Sequence, residues 1–489
     1  MASGLVIAAP RSGSGKTLVT LGLIAALRRR GLLVAPAKTG PDYIDRAILA
    51  RTAGSEAINL DPWAMAPTRL RQLAAGHAEG ADLLLVEGVM GLFDGAASGT
   101  GSTADLAQLL GLPVILVVDA DRQSQSIAAL VHGFASFRPG LPIAGLILNR
   151  CASPRHEAML RSALAPLGLP IIGALPRDPA LTLPERHLGL VLPDEIAAFD
   201  TVISTAAATL ATHLDLTLLL TLASPEPPAP PSLLPSGEKV PEGRMRVGEP
   251  PPSPSLPLVG RDGVGVSEPP PSPPLLPLRE KVAEGRMRGG EPPPLPPLGQ
   301  HIAIARDDAF AFLYPHWLIG WRQSGASVSF FSPLADEIPH PDADAIFLPG
   351  GYPELHAGRL SAQQKFMAAA HTNVEKGLLF YGECGGFMVM GETLTDRDGV
   401  THRMLGLLPL HTRIDRPRRV LGYRQLTHDS RLPWPKSLHG HEFHYSTAAH
   451  ARSVPALFSA TDALGGELPP MGMALGNVLG SYAHVIDIA

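Results

Sequence analysis

Cysteine is scarce in this chain of 489 residues, which contains only Cys151 and Cys384. Two cysteines cannot form a disulfide framework, so the sequence indicates a reducing compartment. Basic residues are not clustered and the formal net charge is −5, which argues against nucleic acid or a membrane surface as a partner. The longest apolar runs, at 112–118 and 214–223, are too short or too interrupted to cross a bilayer, and a predicted core strand that begins at residue 5 leaves no room for a signal peptide. We therefore expect a soluble cytoplasmic protein of several domains.

The first 27 residues read as a strand, a glycine-rich loop and a helix, which is the layout of a phosphate-binding loop. In such a loop, backbone N–H groups and the helix N-terminus face the phosphates, Lys16 supplies a positive charge and the Thr17 hydroxyl a magnesium ligand. Pro10 stands where the first glycine of the strict motif is expected. The alternative, a Gly/Ser-rich turn that arose by chance, is disfavoured by the flanking strand and helix. The predicted nucleotide-binding residues are Gly13, Gly15, Lys16 and Thr17.

Short apolar runs alternate with helical patterns from residue 2 to 223. The runs are rich in Val, Ile and Leu without alternation, as in a parallel sheet covered on both faces, so we predict an α/β domain. The predicted strands are 5–8, 33–37, 83–86, 114–118, 143–148 and 171–174. Ligands of such sheets bind beyond the carboxyl ends of the strands. The polar residues found there are Lys38, Asp42, Asp45, Glu87, Asp94, Asp119 and Asn149.

A nucleotide site needs oxygen ligands for Mg²⁺, which usually takes one or two carboxylates and keeps several waters. Glu87 directly follows a predicted strand, and Asp42 or Asp45 could supply a second carboxylate. The predicted magnesium ligands are Thr17, Asp45 and Glu87, and the candidates for contacts with substrate or with these ligands are Asp42, Tyr43 and Asp94. The alternative is that the acids cap helices or lie in exposed turns, as Asp near Gly and Pro often does. For Asp119 and Asn149 the two interpretations are balanced.

Residues 225–299 break this pattern. Twenty-three of these 75 residues are proline, and a segment that begins at residue 233 recurs at an offset of 42 with the shared core EKVxEGRMR. Two copies do not make a solenoid, and this composition cannot bury enough apolar surface to fold. We predict a disordered, partly polyproline-like linker. Its arginines allow an RNA-binding tail as the alternative, but the glutamates and prolines argue against it.

A second parallel α/β domain is predicted from residue 300 onwards, with strands at 301–305, 328–331, 345–348 and 378–381. Gly351 follows the third of these strands, where a free backbone N–H can serve an oxyanion hole. Cys384 lies between the last strand and a helix, with glycines on both sides, as in a nucleophile elbow. Such a turn exposes the sulfur, and we expect the helix N-terminus to lower the pKa of Cys384 toward the thiolate. The alternative is a buried, inert cysteine, which is the commoner fate of a lone Cys.

A thiolate nucleophile needs a general base from elsewhere in the chain. His484, which follows a last apolar strand, is the best candidate among eighteen histidines. The competing cluster is His439, His441 and His444. Its spacing suggests metal ligands, but it is not His-Glu-x-x-His, and substrate contacts or a surface position are the other interpretations.

Seven stretches resemble those of the cobyrinate (hydrogenobyrinate) a,c-diamide synthase family, and the resemblance extends over nearly everything outside 225–299. They are SGSGKT at 12–17, KTGPDYID at 38–45, EGVMGLFDG at 87–95, PGGYPEL at 349–355, GECGG at 382–386, LGYR at 421–424 and GHEFHYS at 440–446. The resemblance implies a dethiobiotin-synthetase-like P-loop domain at 1–224, a linker at 225–299 and a class I glutamine amidotransferase domain at 300–489. It also implies Cys384 as the nucleophile and His484 as the base. Many class I amidotransferases have a glutamate two residues after the base; this chain has Ile486 there, and the corrinoid branch is similar in lacking it.

The resemblance further implies a ligase that uses ATP and Mg²⁺ as cofactors and glutamine as the source of ammonia. Its expected reaction is amidation of the a and c acetate carboxylates of cobyrinate or hydrogenobyrinate through an acyl phosphate, in cobalamin biosynthesis. The expected partners are glutamine and a corrinoid acid, without nucleic acid or membrane, and a homodimer is left open. Two alternatives are an amidoligase for another tetrapyrrole or polycarboxylate, and a partitioning-type switch ATPase with an inactive amidotransferase domain.

Overall fold

The computed structural model describes residues 3–178, 185–186, 189–190, 196, 198–223, 294–450 and 452–489. Up to residue 223, strands and helices alternate as predicted. The strands are β1 (Gly4–Ala8), β2 (Val34–Thr39), β3 (Ile58–Leu60), β4 (Leu83–Glu87), β5 (Val114–Asp119), β6 (Ile143–Cys151), β7 (Ile171–Pro176), β8 (Glu185–Arg186) and β9 (Gly189–Leu190). The helices are α1 (Lys16–Arg29), α2 (Tyr43–Ala53), α3 (Pro67–His77), α4 (Thr103–Leu110), α5 (Ile127–Ser136), α6 (Pro154–Leu164), α7 (Phe199–His213) and α8 (Leu216–Leu222).

The first seven strands form one parallel sheet in the order β3-β2-β4-β1-β5-β6-β7, which confirms the predicted fold class. Strands β1, β2, β4 and β5 are buried along their whole length, which is why their sequences are continuous apolar runs. Because β1 pairs with both β4 and β5, the loop after β1 lies beside the ends of both neighbours. That edge of the sheet therefore collects the glycine-rich loop, Glu87 and Asp119.

The described chain from residue 294 onwards contains a second set of strands and helices. The strands are β10 (His301–Ala305), β11 (Ser327–Phe331), β12 (Ala345–Leu348), β13 (Leu379–Glu383), β14 (Thr393–Thr395), β15 (Thr401–Arg403), β16 (Leu410–Arg413), β17 (Val420–Thr427), β18 (Ser437–His444), β19 (Thr447–His450), β20 (Phe458–Thr461), β21 (Glu467–Met471), β22 (Met473–Leu475), β23 (Val478–Ser481) and β24 (His484–Ile488). The helices are α9 (Pro315–Gln323), α10 (Ala357–Leu360), α11 (Gln364–Glu375) and α12 (Gly385–Met390).

The second α/β sheet has the order β11-β10-β12-β13-β23-β22. Its four predicted strands pair in parallel, and β22 at one edge runs antiparallel to β23. Cys384 follows β13, and β13 pairs with β23, the strand that leads toward His484. The sheet therefore brings the predicted nucleophile and the predicted base to the same edge.

Two further sheets, β15-β14-β16-β19 and β21-β20-β17-β18-β24, were not predicted. In the second of them β24 pairs antiparallel with β18, so His484 lies opposite His441. These strands were not predicted because most of them are short and half exposed, and they lack the continuous apolar runs of buried parallel strands. This pairing brings the histidine cluster of β18 beside His484.

The C-terminal domain begins earlier than predicted. Residues 294–299, which the sequence analysis assigned to the linker, pack on this domain with Leu295 and Leu298 buried. The indole nitrogen of Trp434 donates a hydrogen bond of 2.9 Å to the carbonyl oxygen of Pro296. The rest of the predicted linker, 225–293, and its repeat lie outside the described residues.

The described residues on either side of that gap form one compact unit. The Tyr423 hydroxyl donates to Asp61 Oδ2 at 3.0 Å, and the Tyr423 ring stacks on Trp63 with 4.3 Å between ring centroids. Arg69 Nε lies 3.4 Å from Asp487 Oδ2, with both side chains nearly buried. None of the helices in the described ranges has the length and apolar character needed to cross a membrane.

Candidate active sites

The glycine-rich loop after β1 is held open by residues of the neighbouring strand β6. Gly13 and Gly15 have φ angles of 79° and 86°, a conformation that favours glycine. Asn149 Nδ2 donates to the Ser14 carbonyl oxygen at 2.9 Å, and Arg150 Nη1 donates to the Gly13 carbonyl oxygen at 2.9 Å. A Cβ on Gly15 would lie 2.2 Å from Asn149 Nδ2, so a side chain there would displace Asn149. The sequence did not decide between a role for Asn149 at the site and a position in a cap or turn. In the structure, Asn149 supports the glycine-rich loop.

Glu87 is the centre of the site beside this loop. Its Oε1 accepts from the Thr17 hydroxyl at 2.6 Å, from Lys16 Nζ at 3.1 Å and from Lys38 Nζ at 3.1 Å. Lys38 also forms an ion pair with Asp45. Lys16, Thr17 and Lys38 thus all donate to the Glu87 carboxylate, and Asp45 joins the cluster through Lys38.

Within this cluster, the charges of Lys38 and Glu87 hold each other ionised. Burial would raise the pKa of Glu87, but Lys38 and Lys16 outweigh burial and lower that pKa to about 2. Burial would likewise lower the pKa of Lys38, but the Asp45 and Glu87 carboxylates raise it above its ordinary value. The pKa of Lys16 is lowered, by burial and by the nearby Lys38 charge.

The residues of this cluster fit a magnesium nucleotide. Glu87 Oε2 is buried and has no hydrogen-bond partner among the described residues, so a lone pair is left for a cation. Nothing lies within 4 Å of a Cβ built on Gly13, which leaves room beside the loop. Hydroxyl and carboxylate oxygens are the donors that Mg²⁺ prefers. Thr17, Glu87 and Asp45 are the residues that would hold it.

Asp42 and Asp94 have local roles, as in the capping alternative. Asp42 Oδ1 accepts the N–H groups of Ile44 and Asp45 at 2.9 Å each, which makes it the N-cap of α2. Burial and the Asp45 charge raise the pKa of Asp42 to about 6. Asp94 Oδ2 accepts the Gly91 N–H at 2.8 Å. A contact of either residue with substrate stays a prediction.

Asp119 pairs with arginines at the rim of the loop. Its Oδ2 lies 3.2 Å from Arg11 Nη2 and 2.8 Å from Arg150 Nη1. Because Arg150 also donates to the Gly13 carbonyl, Asp119 fixes a residue that supports the glycine-rich loop.

Cys384 occupies a strained turn between β13 and α12. Its φ of 47° and ψ of −107° are unusual for a residue with a side chain, which is typical of strained functional turns. The Cys384 N–H donates to the Ser481 carbonyl oxygen at 2.8 Å, which ties the turn to β23. A Cβ on Gly386 would lie 1.9 Å from the Leu348 carbonyl oxygen, so the turn requires glycine there.

The predicted low pKa of Cys384 is wrong. Burial raises the pKa of the thiol, and the nearby Glu354 carboxylate raises it further. A hydrogen bond from the Gly385 N–H to the sulfur acts in the opposite direction and is outweighed. The helix α12 has only six residues, and the thiol is 3 % exposed, so desolvation decides the result.

His484 is buried at the start of β24, with polar groups facing its Nδ1. The Tyr43 hydroxyl lies 3.3 Å from Nδ1, and Glu383 Oε2 lies 3.7 Å from it. Burial, with the nearby His444 charge, lowers the pKa of His484 to about 3. A Cβ on Gly350 would lie 2.4 Å from His484 Cε1 and 3.3 Å from Nε2, so the Cε1–Nε2 edge of the imidazole faces the loop that contains Gly351.

Gly351 lies against Gly385, the residue that follows the predicted nucleophile Cys384. Its backbone nitrogen is 3.0 Å from a Cβ built on Gly385. A Cβ on Gly351 itself would lie 2.1 Å from the Ala309 carbonyl oxygen, so the loop requires glycine at that position. The predicted oxyanion donor is therefore next to the Cys384 turn.

Sequence reasoning missed Glu383. Its Oε1 accepts from the Tyr381 hydroxyl at 2.8 Å and from the Val485 N–H at 3.0 Å. It therefore joins β13, which precedes the predicted nucleophile, to β24, which carries the predicted base. Burial raises the pKa of Glu383 to about 8. Two features of the sequence could have indicated Glu383. It directly precedes Cys384, and Ile486 stands where many class I amidotransferases have a glutamate, so another acid could take that place.

The histidines of β18 are structural neighbours of both domains. His439 Nδ1 is 3.1 Å from the Ala64 carbonyl oxygen, and His441 Nε2 is 3.4 Å from that of Pro41. His444 Nε2 lies 2.8 Å from Glu442 Oε1. His441 and His444 are buried, so the interpretation of these two histidines as surface residues is wrong. In the described part of the chain, no three His, Cys, Asp or Glu side chains are arranged to hold a metal ion.

Comparison with known families matches both halves of the chain. Residues 5–191 match the CobQ/CobB/MinD/ParA nucleotide binding domain, and residues 301–487 match the CobB/CobQ-like glutamine amidotransferase domain. The chain is therefore a glutamine amidotransferase-type ligase with a nucleotide-binding domain.

Curated relatives identify the family. Similar chains named hydrogenobyrinate a,c-diamide synthase occur in Brucella abortus biovar 1 (strain 9-941), at 49% identity over 487 residues, and in Rhodobacter capsulatus, at 44% identity over 492 residues. The first match covers 99% of this chain and 99% of its relative, the second 99% and 98%. The chain belongs to the hydrogenobyrinate a,c-diamide synthase family.

Proposed function

We propose that the chain catalyses ATP-dependent amidation of the a and c acetate carboxylates of hydrogenobyrinate or cobyrinate, with ammonia taken from glutamine. The observation that carries this proposal is that one chain has a carboxylate-centred cluster around Glu87 beside a glycine-rich loop and, at one edge of the second sheet, a buried Cys384 and a buried His484. Its similarity to the named synthases over their full length supports a corrinoid acid as substrate.

The nucleotide site would activate the carboxylate. When bound, ATP supplies the phosphoryl group that converts the acetate side chain into an acyl phosphate, from which ammonia displaces phosphate. Thr17, Glu87 and Asp45 hold Mg²⁺, and Lys16 neutralises phosphate charge. Lys38, 3.1 Å from Glu87 Oε1, keeps that carboxylate ionised and aimed at the loop. Positioning and charge neutralisation are the main contributions of a protein to phosphoryl transfer.

The second site would release ammonia from glutamine. The Sγ–H proton of Cys384 moves to His484 Nε2 while Sγ bonds to the amide carbon, and the Gly351 N–H holds the oxyanion that forms. His484 then returns the proton to nitrogen as the carbon–nitrogen bond breaks. The products are NH₃ and a thioester, which water hydrolyses to glutamate and free Cys384.

The resting protonation states are compatible with this proton transfer. Burial raises the pKa of Cys384 and lowers that of His484, so the proton rests on sulfur and the imidazole is neutral at physiological pH. A neutral imidazole can accept the thiol proton as glutamine binds. Glu383 Oε2 lies 3.7 Å from Nδ1, and because its pKa is raised to about 8 it supports the imidazolium as a carboxylate only above that pH.

Cys384→Ser tests the division of roles between the two sites. We expect this variant to lose glutamine-dependent amidation and to keep ammonia-dependent amidation at raised ammonium and pH. The physical reason is that a serine hydroxyl attacks the amide poorly, whereas the acyl phosphate forms on the other domain. The measurement is the mass of the diamide product with each nitrogen source.

His484→Ala is the companion variant and should behave in the same way. A Cys384→Ser protein that is folded and binds nucleotide, yet loses both activities, would contradict the proposal. Metal-free and cobalt-containing acids assayed side by side identify the preferred corrinoid, and failure of both would favour another polycarboxylate.

A further inference from the structure

Tyr43 belongs to the nucleotide-binding domain, but its ring lies among rings of the other domain. It is the first residue of α2 and is 6 % exposed. Its ring stacks on Tyr314, with centroids 4.3 Å apart, and on Phe312, with centroids 5.2 Å apart and planes within 9°. The imidazole centroids of His484 and His441 lie 5.1 Å and 5.9 Å away. The ring is therefore fixed in position by the amidotransferase domain.

The Tyr43 hydroxyl faces the nitrogen of His484 that must carry a hydrogen. If Nε2 accepts the Cys384 proton, Nδ1 bears the N–H, and its partner sets the tautomer and the ring orientation. The Tyr43 oxygen, at 3.3 Å, is nearer to Nδ1 than Glu383 Oε2, at 3.7 Å. A hydroxyl oxygen at this distance accepts the Nδ1–H.

The same helical turn also reaches the nucleotide site. Asp45 follows Tyr43 by two residues and pairs with Lys38, which lies 3.1 Å from Glu87 Oε1. Two successive steps of an α-helix rotate the side-chain direction by about 200° around the helix axis, so Tyr43 and Asp45 face nearly opposite sides. One helical turn can therefore contact both sites. Asp42 caps this turn through the Asp45 N–H, which makes it a single stiff element.

The segment before the turn is held from the amidotransferase side. The Pro41 carbonyl oxygen accepts the Tyr314 hydroxyl at 3.3 Å and is 3.4 Å from His441 Nε2. Because both ends of this segment are held by hydrogen bonds, we expect a displacement of Asp45 at the nucleotide site to displace Tyr43 as well.

We propose that Tyr43 is a positioning residue for the base His484, and that the first turn of α2 couples glutamine hydrolysis to the state of the nucleotide site. This inference rests on the proposed roles of Cys384 and His484. Asp45 and Glu87 are the groups on which the nucleotide acts, and Tyr43 is the group through which the amidotransferase domain senses the change.

Tyr43→Phe tests the inference because it keeps the stacked ring and removes the hydroxyl. In nucleotide-free enzyme we expect kcat for glutamine hydrolysis to fall about tenfold, the usual effect of one hydrogen bond on a rate, with KM within about twofold. The stimulation of hydrolysis by Mg·ATP and the corrinoid acid should fall toward unity. Alkylation of Cys384 by iodoacetamide gives a second readout that needs no nucleotide, and its rate should fall in the variant.

Tyr423→Phe is the matched control, since it removes another hydroxyl that joins the same two domains, through Asp61, without touching His484 or Tyr43. Its nucleotide-free kcat should stay close to that of the wild type. Unchanged kcat, stimulation and alkylation in Tyr43→Phe would overturn the inference. So would an equal loss of ammonia-dependent amidation, because Tyr43 would then serve the synthetase reaction.

Failure of the inference is distinguishable from failure of the proposed function. If Cys384→Ser still hydrolyses glutamine, the proposed function fails. If Cys384→Ser is inactive with glutamine while Tyr43→Phe equals the wild type, only the coupling role of Tyr43 fails.

Discussion

Glu87→Gln is the most informative single substitution in the nucleotide-binding domain. The Glu87 side chain is fully buried, and one oxygen accepts from Thr17, Lys16 and Lys38. The substitution keeps the size of the side chain and removes its charge. Two ammonium groups then remain beside a neutral amide, with Asp45 as the carboxylate that still pairs with Lys38.

The expected decrease in the free energy of unfolding can be estimated in two ways. Removing one partner of a buried ion pair costs about 3–5 kcal/mol, because the other charge is left uncompensated. Burial works against the ionised form, yet Lys38 and Lys16 lower the pKa of Glu87 from 4.5 to about 2, which corresponds to about 3 kcal/mol at neutral pH. Since the pKa is lowered, this stability is present above pH 4.5 and is lost as the pH falls toward 2. Both routes give about 3 kcal/mol.

The assay is urea unfolding of the nucleotide-free chain at pH 7, followed by far-ultraviolet circular dichroism. Asp94→Asn is the control, because Asp94 Oδ2 accepts the Gly91 N–H, and it should cost about 1 kcal/mol. In a double-mutant cycle with Lys38→Met, the two substitutions should couple by about 1.5–3 kcal/mol. The variant should also lose ammonia-dependent amidation and keep glutamine hydrolysis. A cost below about 1 kcal/mol, or additivity with Lys38→Met within about 0.5 kcal/mol, would refute the ion-pair argument.

Two further predictions concern residues that hold the base. Glu383→Gln should lower kcat for glutamine hydrolysis about tenfold at pH 9, where the carboxylate supports the imidazolium, and change it little at pH 7, where its raised pKa of about 8 keeps Glu383 protonated; steady-state kinetics at the two pH values measure this, and a loss of ammonia-dependent amidation as well would point to misfolding instead. Burial lowers the pKa of His316 to about 3, so its unfolded form takes up a proton below pH 6.5 and stability falls with the pH. Between pH 7.5 and 5.0 the wild type should therefore lose about 2 kcal/mol relative to His316→Gln in urea unfolding. Trp317→Phe, which removes the other hydrogen bond to the Ile486 carbonyl oxygen and no titratable group, should have a cost that does not change with pH.

The meeting of Lys16, Thr17 and Glu87 could be predicted from the sequence. Each follows a continuous apolar run, and the carboxyl ends of parallel strands gather at one edge of a sheet. The nucleophile turn was accessible for the same reason, because Cys384 comes directly after a predicted strand and before glycines. Local patterns suffice when a site is built from the ends of regular elements.

Tyr43 and Glu383 could not be assigned in this way. Tyr43 is adjacent to predicted ligands in the sequence, and no local pattern says that its ring packs between Phe312 and Tyr314, about 270 residues later in the chain. The role of Glu383 depends on β24, a strand whose pairing with β18 the sequence did not reveal. The shift in the pKa of Cys384 was predicted in the wrong direction. The helix that follows Cys384 can be recognised from the local sequence, whereas burial, which raises the pKa, depends on the whole fold.

The protonation states and the packing of Tyr43 point to the same behaviour of the amidotransferase site. If Cys384 and His484 act as proposed, a thiol of raised pKa and a neutral imidazole should react slowly until glutamine and the correct geometry bring the proton across. The Nδ1 of that imidazole is in contact with a hydroxyl from the other domain, and we propose that this contact, on the same helical turn as the predicted magnesium ligand Asp45, sets the geometry of the imidazole. Ammonia released before the carboxylate is activated is lost to solvent. A slow resting pair, aligned by the domain that consumes the ammonia, gives a physical reason for both sites to reside in one chain.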